Sequence, residues 1–544
     1  MSRSPKFHIA RAQSLKSARS GLEAYWQELA YYAMPRKAYI TRFRSVSDRL
    51  PDDIYDSTAI NSLNYMAAGI QGYLTNPQMR WFGLQLKNRR LMEIPGTRDW
   101  LRDCEDQIYD CLNGTNYYQE NNECYRDLGC IGTHCLYSEE DLESDIRFYS
   151  IPIERVVLAE DAFGRITTAY IDYEFTADQA YQKFGEAAKI NDDLARALVR
   201  EDYTTMFKYL LCIYPRFAYN PGKKDKKNMP VGVEWIDKQK EVLIKESGFK
   251  EFPFMVSRWA KWSGDLHGAS PEMDVLADIK MLNQMSRSNL ISGEKSSDPP
   301  LDVPDEAFLR PMDFDAGGIN YRNTGYTGER IYPIVSGNNG LPFAIQMEDA
   351  RRISIQRAFF NDLFIVLNNQ SNMTAEEVRQ RVAERMLLLG PAIGMLINEN
   401  VQPTITRTFN VLARNGKLAE PPPGIVGQEF IVTATSPLAR AQKMVELQGL
   451  QLSMGMITQL MAVQPEVSDK VKFDEVVDFV AEITSLNPKL IRDDAEVDEI
   501  RVNRAKVQEA SNQMAMINAG AQAVKTGTEA DKNMKETQMV GAGK

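Results

Sequence analysis

The chain has 544 residues, a hydrophobic fraction of 43%, a net charge of −10 and a pI near 5.2. This length predicts several packed units, and the acidic balance argues against a free, high-affinity nucleic-acid binder, because such proteins carry a basic face. No secretion signal is visible at the N-terminus, and the longest uncharged apolar run, residues 386–397, is too short to span a membrane. We therefore expect a soluble protein that is made in a cytoplasm and has no membrane contact.

The first predicted elements are mostly helices. Residues 5–34 carry apolar side chains at three- and four-residue steps, which predicts one helix that ends before a proline. A second helix is predicted after Ser57 and ends at Asn76–Pro77. The alternating run at 81–86 predicts a strand, and residues 97–120 predict a third helix.

Residues 143–260 differ, because they consist of short β-type runs separated by turns, with one predicted helix at 177–201. This segment predicts an α+β unit. The lysine-rich run at 223–227 is best interpreted as the solvated tip of a hairpin rather than as a nucleic-acid patch.

Two further helices bracket a compact segment. Ser-Pro-Glu at 270–272 supplies an N-cap, a proline at the first helical position and an acid in the first turn, which predicts a helix to residue 294. Residues 299–341 are rich in Pro, Gly, Asn and Asp, and another helix is predicted at 343–366. If the two helices pack antiparallel, the intervening segment lies at one end of a stalk.

A polar loop without formal charge follows, formed by Asn368, Asn369, Gln370, Ser371, Asn372 and Met373. Thr374 and Glu377 then match a capping box, which predicts the start of a helix that Asn415–Gly416 closes. Such a helix would be about 60 Å long, and Pro391 and Pro403 are expected to bend it. Its length indicates an elongated subunit that neighbouring subunits complete.

The C-terminal part is poor in core-forming residues. A strand is predicted at 428–435, helices at about 437–464 and 473–485, and a last helical stretch at 494–525. No Phe, Trp or Tyr occurs after residue 479. We expect this part to be a tail, or a helix that packs in a multimer.

The usual components of a catalytic site are missing. The chain has three histidines, no P-loop, no G-x-S-x-G and no H-E-x-x-H, so we predict no enzyme activity, catalytic residue, cofactor or metal. Two alternatives stay open. One is a metal-dependent enzyme that uses Cys130, His134 and Cys135, although a zinc site needs four ligands at workable spacing. The other is a scaffold or adaptor that forms no ring and has a coiled-coil tail.

Three segments occur in a distinctive order. The first, YDSTAINSLNYMAAGIQGYLTNPQMRWFGLQL (55–86), places a small and apolar helix before Pro and Trp-Phe. The second, FPFMVSRWAKWSGDLHGASPEMDVLADIKMLNQ, begins the stretch 252–304, which ends in Pro-Pro and LDVP. The third, NMTAEEVRQRVAERMLLLGPAIGMLINENVQP, begins the stretch 372–418, which closes on Asn-Gly. By order and spacing, the sequence resembles the head-to-tail connector (portal) proteins of podovirus-type bacteriophages over about residues 15–440.

The resemblance implies an elongated α+β subunit, mainly helical, that assembles into a ring with a central channel. Its regions would be, in chain order, an N-terminal wing (1–270), a first stem helix (271–294), a clip (295–342), a second stem helix (343–366), a tunnel loop (367–373), a long wing helix and strand (374–436), crown helices (437–493), and a C-terminal helix that extends as a barrel, with a mobile tail (494–544).

The implied function is that of a dodecameric ring at one capsid vertex, which conducts double-stranded DNA during packaging and ejection and nucleates procapsid assembly. The implied partners are further copies of the chain, the major capsid and scaffolding proteins, the terminase large subunit, tail adaptor and tail tube proteins, internal core or ejection proteins, and DNA bound without sequence specificity. The protein would lie in the virion, at the head–tail junction, after synthesis in the host bacterial cytoplasm.

The resemblance also assigns site residues. The tunnel loop at 368–373 would touch passing phosphates through amides and hydroxyls, with a simple polar turn between helices as the alternative. Basic residues on the stem would either form salt bridges between subunits or line the channel; they are Lys280, Arg287, Arg351 and Arg352. Clip residues that would contact the motor or the tail are Asp313, Asp315, Asn320, Tyr321, Arg322 and Arg330.

Overall fold

The computed structural model describes residues 4–41, 51–94, 96–141, 143–202, 204–220, 222–223, 225–297, 301–302, 332–333, 341–364, 389–428, 430–434, 449–461, 464, 470–484, 492, 497, 499–509 and 514. The chain forms two compact units. Unit 1 comprises residues 1–87, 102–420 and 429–451, and unit 2 comprises residues 88–101, 421–428 and 452–544. The fold is α+β.

The N-terminal segment forms two helices where one was predicted, α1 (Pro5–Ala18) and α2 (Ser20–Ala33). The interruption falls at Arg19, whose guanidinium donates hydrogen bonds to the carbonyl oxygens of Ile153, at 3.1 Å, and Val156. This contact with a distant segment fixes Arg19 outside helical geometry. The next helix, α3 (Thr58–Leu74), and strand β1 (Phe82–Leu86) lie where the sequence predicts them.

The helix predicted at 97–120 is also divided, into α4 (Thr97–Gly114) and α5 (Tyr117–Cys130). Asn116 lies at the division, because its side-chain amide donates to the Phe148 carbonyl at 2.7 Å and accepts from the Phe148 amide at 3.1 Å. The Asn116 side chain therefore forms the same two hydrogen bonds with the Phe148 backbone that a neighbouring strand would form. Helix α5 continues ten residues beyond the predicted helix end at residue 120.

Eight strands of unit 1 form two antiparallel sheets. The smaller sheet has the order β3 (Asp145–Ile151), β2 (Thr133–Asp141), β9 (Phe254–Arg258). The larger sheet has five strands in chain order, β4 (Val156–Glu160), β5 (Ile166–Thr176), β6 (Met206–Pro215), β7 (Val231–Asp237) and β8 (Val242–Phe249). The sequence predicts β3, β5, β6, β7 and β8 but not β2, β4 or β9, which are largely buried and lack clear alternation.

The helix predicted at 177–201 is interrupted as well. It forms α6 (Ala177–Phe184) and α7 (Asp192–Val199), with a turn of 3-10 helix between them. Gly185 ends α6 with φ of +60°, a left-handed conformation that glycine adopts at little cost. The lysine-rich run at 223–227 lies in the connection between β6 and β7, where its described residues are exposed.

Helix α1 packs on the five-stranded sheet through Ala12, which joins a core of Val157, Tyr170, Leu210, Cys212, Tyr214 and Ile236. His8 of α1 is also fully buried there. Its Nδ1 lies 3.3 Å from the Tyr170 hydroxyl, and its Nε2 lies 3.6 Å from a carboxylate oxygen of Glu234. The sheet face therefore contains a buried polar side chain within an otherwise apolar contact, and the hydrogen bond of His8 to Tyr170 ties α1 to β5.

Helix α8 (Pro271–Ser297) begins at the predicted proline and runs three residues past the predicted end. Two short strands follow, β10 (Leu301–Asp302) and β11 (Tyr332–Pro333), and pair antiparallel. Helix α9 (Leu341–Ala358) then ends earlier than predicted. Phe360, with φ of +57°, separates it from the single turn α10 (Asn361–Phe364).

The predicted long helix is described only from residue 389. It contains α11 (Gly390–Leu396), a π-helical turn (Ile397–Val401) and α12 (Gln402–Arg414). Pro403 has no N–H to donate into the preceding turn, and the wider π turn lies directly before it. Such turns are rare and usually have a specific structural cause.

Strand β12 (Phe430–Ala434) lies where the sequence predicts a strand and pairs antiparallel with β1, Phe82 opposite Ala434 and Leu86 opposite Phe430. Residues 449–461 are helical, and unit 2 contains α13 (Phe473–Thr484) and a helical segment at 499–509. Arg501 and Asp474 form a two-fold hydrogen-bonded pair, at 2.8 and 3.0 Å. Among the residues described, no helix is long and apolar enough to cross a bilayer.

Candidate functional site: the α8–α9 hairpin

The candidate site is the pair of helices that carries the predicted stem residues. Of the predicted site residues, Lys280 and Arg287 lie on α8, and Arg351 and Arg352 lie on α9. The predicted tunnel loop at 368–373, the cap residues Thr374 and Glu377, and the clip residues from Asp313 to Arg330 lie outside the described residues, so their roles stay predictions.

Helices α8 and α9 are held together by polar contacts as well as by apolar packing. Asp278 on α8 accepts hydrogen bonds from Arg351 and from Ser354, each at 3.0 Å. Further along, Asn289 donates to Glu348 at 2.6 Å. The antiparallel pairing of β10 with β11 brings the end of α8 towards the start of α9, so the two helices form a hairpin.

Arg352 is at the centre of a small ionic network. Its guanidinium pairs with Asp56 at 3.0 Å, with Glu348 at 2.9 Å and with Asp349 at 2.8 Å. Burial lowers the pKa of Arg352, but the hydrogen bonds to these three acids outweigh that effect and raise it. Asp56 immediately precedes α3, so the network ties the hairpin to the N-terminal helices.

The two basic residues on α8 also have partners within the chain. Lys280 donates to Glu28 of α2 at 2.5 Å, and the Arg287 guanidinium lies 5.9 Å from the centre of the Tyr55 ring. Between them, Asn283 accepts from the Tyr55 amide at 2.7 Å. Exposed pairs of this kind add little stability individually, but together they fix the orientation of α8 against residues 28–56.

The structure therefore gives each of the four predicted basic residues a partner in its own subunit, which sequence reasoning did not foresee. Glu348 and Asp349 lie four and three residues before Arg352, so helical spacing alone could have identified them as its partners. Glu28 and Asp56 carry no local signal, because they are more than 200 residues from the groups that they contact. Beside these contacts, the hairpin exposes large apolar side chains on both helices, and among the described residues these are Met281, Leu290, Ile291, Phe343, Ile345, Met347 and Ile353.

The root of the hairpin is anchored at the junction of α5 and β2. The Ser270 hydroxyl accepts from the Met273 amide at 3.2 Å and so caps α8. The same hydroxyl donates to the Cys130 carbonyl at 2.7 Å and so attaches the start of α8 to the end of α5. Glu272 is fully buried beside the Cys130 thiol, and burial raises its pKa well above the ordinary value. The sequence places this acid correctly in the first turn but gives no sign that it is buried.

The residues of the alternative zinc site have structural contacts. His134 Nδ1 lies 3.0 Å from Asp127, which also accepts a hydrogen bond from Lys37 at 2.7 Å. Burial raises the pKa of the Cys135 thiol to about 12 and that of Cys130 well above its usual range, and this disfavours the thiolates that bind zinc. Within the described part of the chain, no group of three or more His, Cys, Asp and Glu side chains is arranged to hold a metal.

Residues 7–491 match the family described as bacteriophage head to tail connecting protein, and the chain belongs to that family. It is thus a structural protein of the phage head-to-tail connection and not an enzyme.

Two curated relatives match nearly the whole chain. The portal protein of Salmonella phage epsilon15 is 30% identical over 528 residues, covering 95% of this chain and 94% of the relative. The probable portal protein of Bordetella phage BPP-1 is 28% identical over 521 residues, with coverage of 95% and 94%. A solved structure described as the neck of an empty GTA particle, computed with C6 symmetry, aligns at 12% identity over 74% of this chain and 87% of its own, and its TM-score of 0.35 supports no conclusion here.

Proposed function

We propose that the chain is the subunit of a portal ring that occupies one vertex of a phage capsid and conducts double-stranded DNA into and out of the head. The observation that carries the proposal is the match of 95% of the chain to portal proteins of two phages. The ring has twelve subunits in this proposal, and it nucleates procapsid assembly.

The exposed apolar side chains of the hairpin support self-assembly. A free subunit that exposes such groups on two adjacent helices gains free energy when a neighbour covers them. A closed cyclic ring covers the same surface on every copy and leaves no open end. The hairpin acts as the stem in this arrangement. Because Lys280, Arg351 and Arg352 are paired within their own subunit, they repel the helices of neighbouring subunits less.

The charge pattern supports a conduit in which DNA slides. Each contact between an unpaired Lys or Arg side chain and a phosphate releases counterions and adds affinity. A channel lined with unpaired basic side chains would therefore hold the DNA. The chain carries a net charge of −10, and three of the four predicted stem bases are paired with acids, Lys280 with Glu28, Arg351 with Asp278 and Arg352 with Asp56. The uncharged loop at 368–373 makes brief hydrogen bonds to phosphates in this proposal.

The remaining regions take their proposed partners from the same function. The clip binds the terminase large subunit during packaging and the tail adaptor and tail tube proteins afterwards. The wing and crown meet the major capsid protein, the scaffolding protein and internal core or ejection proteins. The subunit is made in the host bacterial cytoplasm and ends in the virion.

Ring formation is tested by imaging the purified chain. We expect the wild-type protein to form rings in negative-stain images, and the double variant Ile291→Lys, Ile353→Lys to form about tenfold fewer, because each lysine places a charge in a contact between apolar surfaces. Val199→Lys is the matched control, since Val199 is exposed on α7 outside the hairpin. Wild-type protein that stays monomeric at micromolar concentration, even beside capsid protein, would refute the ring.

The conduit role of the loop is tested by deleting residues 368–373 in the phage. We expect normal ring yield but reduced packaging or retention of DNA, measured as the fraction of filled heads, because the deletion removes the contacts with sliding DNA. Replacement of the same six residues by a Gly-Ser segment of equal length controls for the connection between the helices. Normal genome filling in the deletion would mean that the loop has no such role.

A further inference from the structure

Three aromatic side chains project into solvent from loops of unit 1. Phe163, in the β4–β5 turn, is 86% exposed, Phe217, after β6, is 88% exposed, and Trp262, after β9, is 66% exposed. Exposing aromatic surface of this size costs free energy unless a partner covers it. We propose that these loops, residues 161–165, 216–220, 222–223, 225–230 and 259–265, form an aromatic tip that docks onto an acidic surface of a second capsid protein.

The three loops lie at one end of the five-stranded sheet. Strands β4, β5, β6 and β7 are consecutive antiparallel neighbours, so the β4–β5 turn and the β6–β7 connection emerge at the same end. The loop that carries Trp262 meets the first of these, because a Cβ added at Gly164 would lie 3.4 Å from Lys261 Nζ. The aromatic side chains therefore belong to one continuous region.

Hydrogen bonds order the backbone of two of these loops. Asp161 accepts hydrogen bonds from the amides of Phe163 and Arg165, each at 2.9 Å, and closes the turn. Arg216, next to Phe217, donates to the carbonyl oxygens of Lys227, at 2.6 Å, and Ser247, at 2.9 Å. Pre-ordered anchors lose little conformational entropy on binding, which is what a binding hot spot requires.

The tip has the opposite charge to the rest of the chain. Among the residues that the structure describes, the exposed basic residues of the tip are Arg165, Lys223, Lys226, Lys227 and Lys261. The exposed acidic residues are Asp225 and Asp265. The whole chain, in contrast, has a net charge of −10. A basic rim around aromatic anchors is complementary to an acidic surface with apolar recesses.

The arrangement favours a separate protein over a second copy of the chain or a nucleic acid. Permanent interfaces between copies are broad and apolar, whereas isolated aromatic anchors within a charged rim are typical of non-obligate protein contacts. Duplex DNA is less favoured, because part of the basic charge is offset within the tip. Lys227 lies 3.8 Å from a Glu246 carboxylate oxygen, and Asp225 and Asp265 are exposed in the same loops as the lysines. The proposal rests on the proposed function, since that function places the chain in the capsid.

The test uses the full-length chain co-expressed with the major capsid protein of the same phage. The triple variant Phe163→Ser, Phe217→Ser, Trp262→Ser is compared with wild type and with Val199→Ser, whose side chain is similarly exposed on α7. Two quantities are measured, ring yield by negative stain and the number of connector chains per purified procapsid by quantitative mass spectrometry. We expect the triple variant to form rings normally but to be incorporated about tenfold less, and Val199→Ser to match wild type.

The charge reversal Lys223→Glu, Lys226→Glu, Lys261→Glu is a second, independent variant, and it should also lower incorporation while ring yield is maintained. Unchanged incorporation in both variants would overturn the proposal and leave the portal function intact. Loss of rings in the triple variant would assign the tip to contacts between copies and would also overturn it. The proposal would also be overturned if the variants lost binding to duplex DNA or to anionic lipid vesicles but were still incorporated into procapsids. Failure of the wild-type chain itself to form rings would instead refute the proposed function.

Discussion

Glu399→Ala is expected to lower the free energy of unfolding of unit 1 by about 3–5 kcal/mol, because it leaves the buried guanidinium of Arg258 without its main counter-charge. Glu399, in the π-helical turn, accepts from the Arg258 amide at 2.9 Å and from its Nε at 3.1 Å, and it pairs with Nη2 at 2.5 Å. The Arg258 side chain is only 7% exposed, and its other acidic partner, Glu160, is 3.3 Å away.

The measurement is urea denaturation followed by tryptophan fluorescence at a fixed protein concentration, since ring assembly would add to the apparent stability. Glu399→Gln is the matched control, because it keeps one acceptor oxygen and the side-chain volume, so it should lose clearly less stability. Hydrogen exchange should rise first in β9 and the π turn. An unfolding midpoint for Glu399→Ala equal to that of the wild type would show that the pair makes no net contribution.

Gly132→Ala is expected to lower the free energy of unfolding by about 3 kcal/mol. An alanine there would have to adopt a left-handed backbone conformation, and its added methyl group would overpack the site. Gly132 has φ of +82°, and an added Cβ would lie 2.4 Å from the Gly268 carbonyl oxygen and 2.8 Å from the Ser270 nitrogen. These are backbone atoms of the segment that leads into α8, so no side-chain rotation can relieve the contact. The root of the hairpin must shift.

Gly264→Ala separates the two contributions to that cost. Gly264 also has positive φ, +94°, but its added Cβ would meet nothing within 4 Å. It should therefore show only the conformational penalty, about 1–2 kcal/mol. Thermal melts of both variants, with hydrogen exchange over residues 268–275, provide the comparison. Equal losses in the two variants would mean that the close approach at Gly132 is unimportant.

Sequence periodicity was sufficient to predict α3, β1, β12, most strands of the five-stranded sheet and the start of α8, because these depend on local patterns of apolar residues and caps. The interruptions at Arg19 and Asn116 were missed for one reason. Each is produced by a side chain that bonds to backbone atoms distant in sequence, 134 residues away for Arg19 and Ile153 and 32 residues away for Asn116 and Phe148. No helix propensity or local pattern contains that information.

The same limit applies to the candidate site. The sequence identifies Arg351 and Arg352 as charged residues on a helix and places Glu348 and Asp349 one turn before Arg352. Their pairing with Asp278 and Asp56 depends on the packing of other elements. Glu272 illustrates the converse. Its position in the first turn of α8 follows from the sequence, whereas its burial beside Cys130 depends on how α5 and β2 pack.

The pairing of β1 with β12 has a consequence for how the chain folds during synthesis. Thr433 donates to the Gly83 carbonyl across 350 residues of sequence. At a translation rate of about 5–20 residues per second, β1 waits about 20–70 s for its partner strand to be made. During that time its hydrogen-bonding edge is open to other chains on the same messenger. Slower initiation, which spaces the ribosomes further apart, should therefore raise the yield of correctly folded subunits, whereas strong overexpression should favour aggregation.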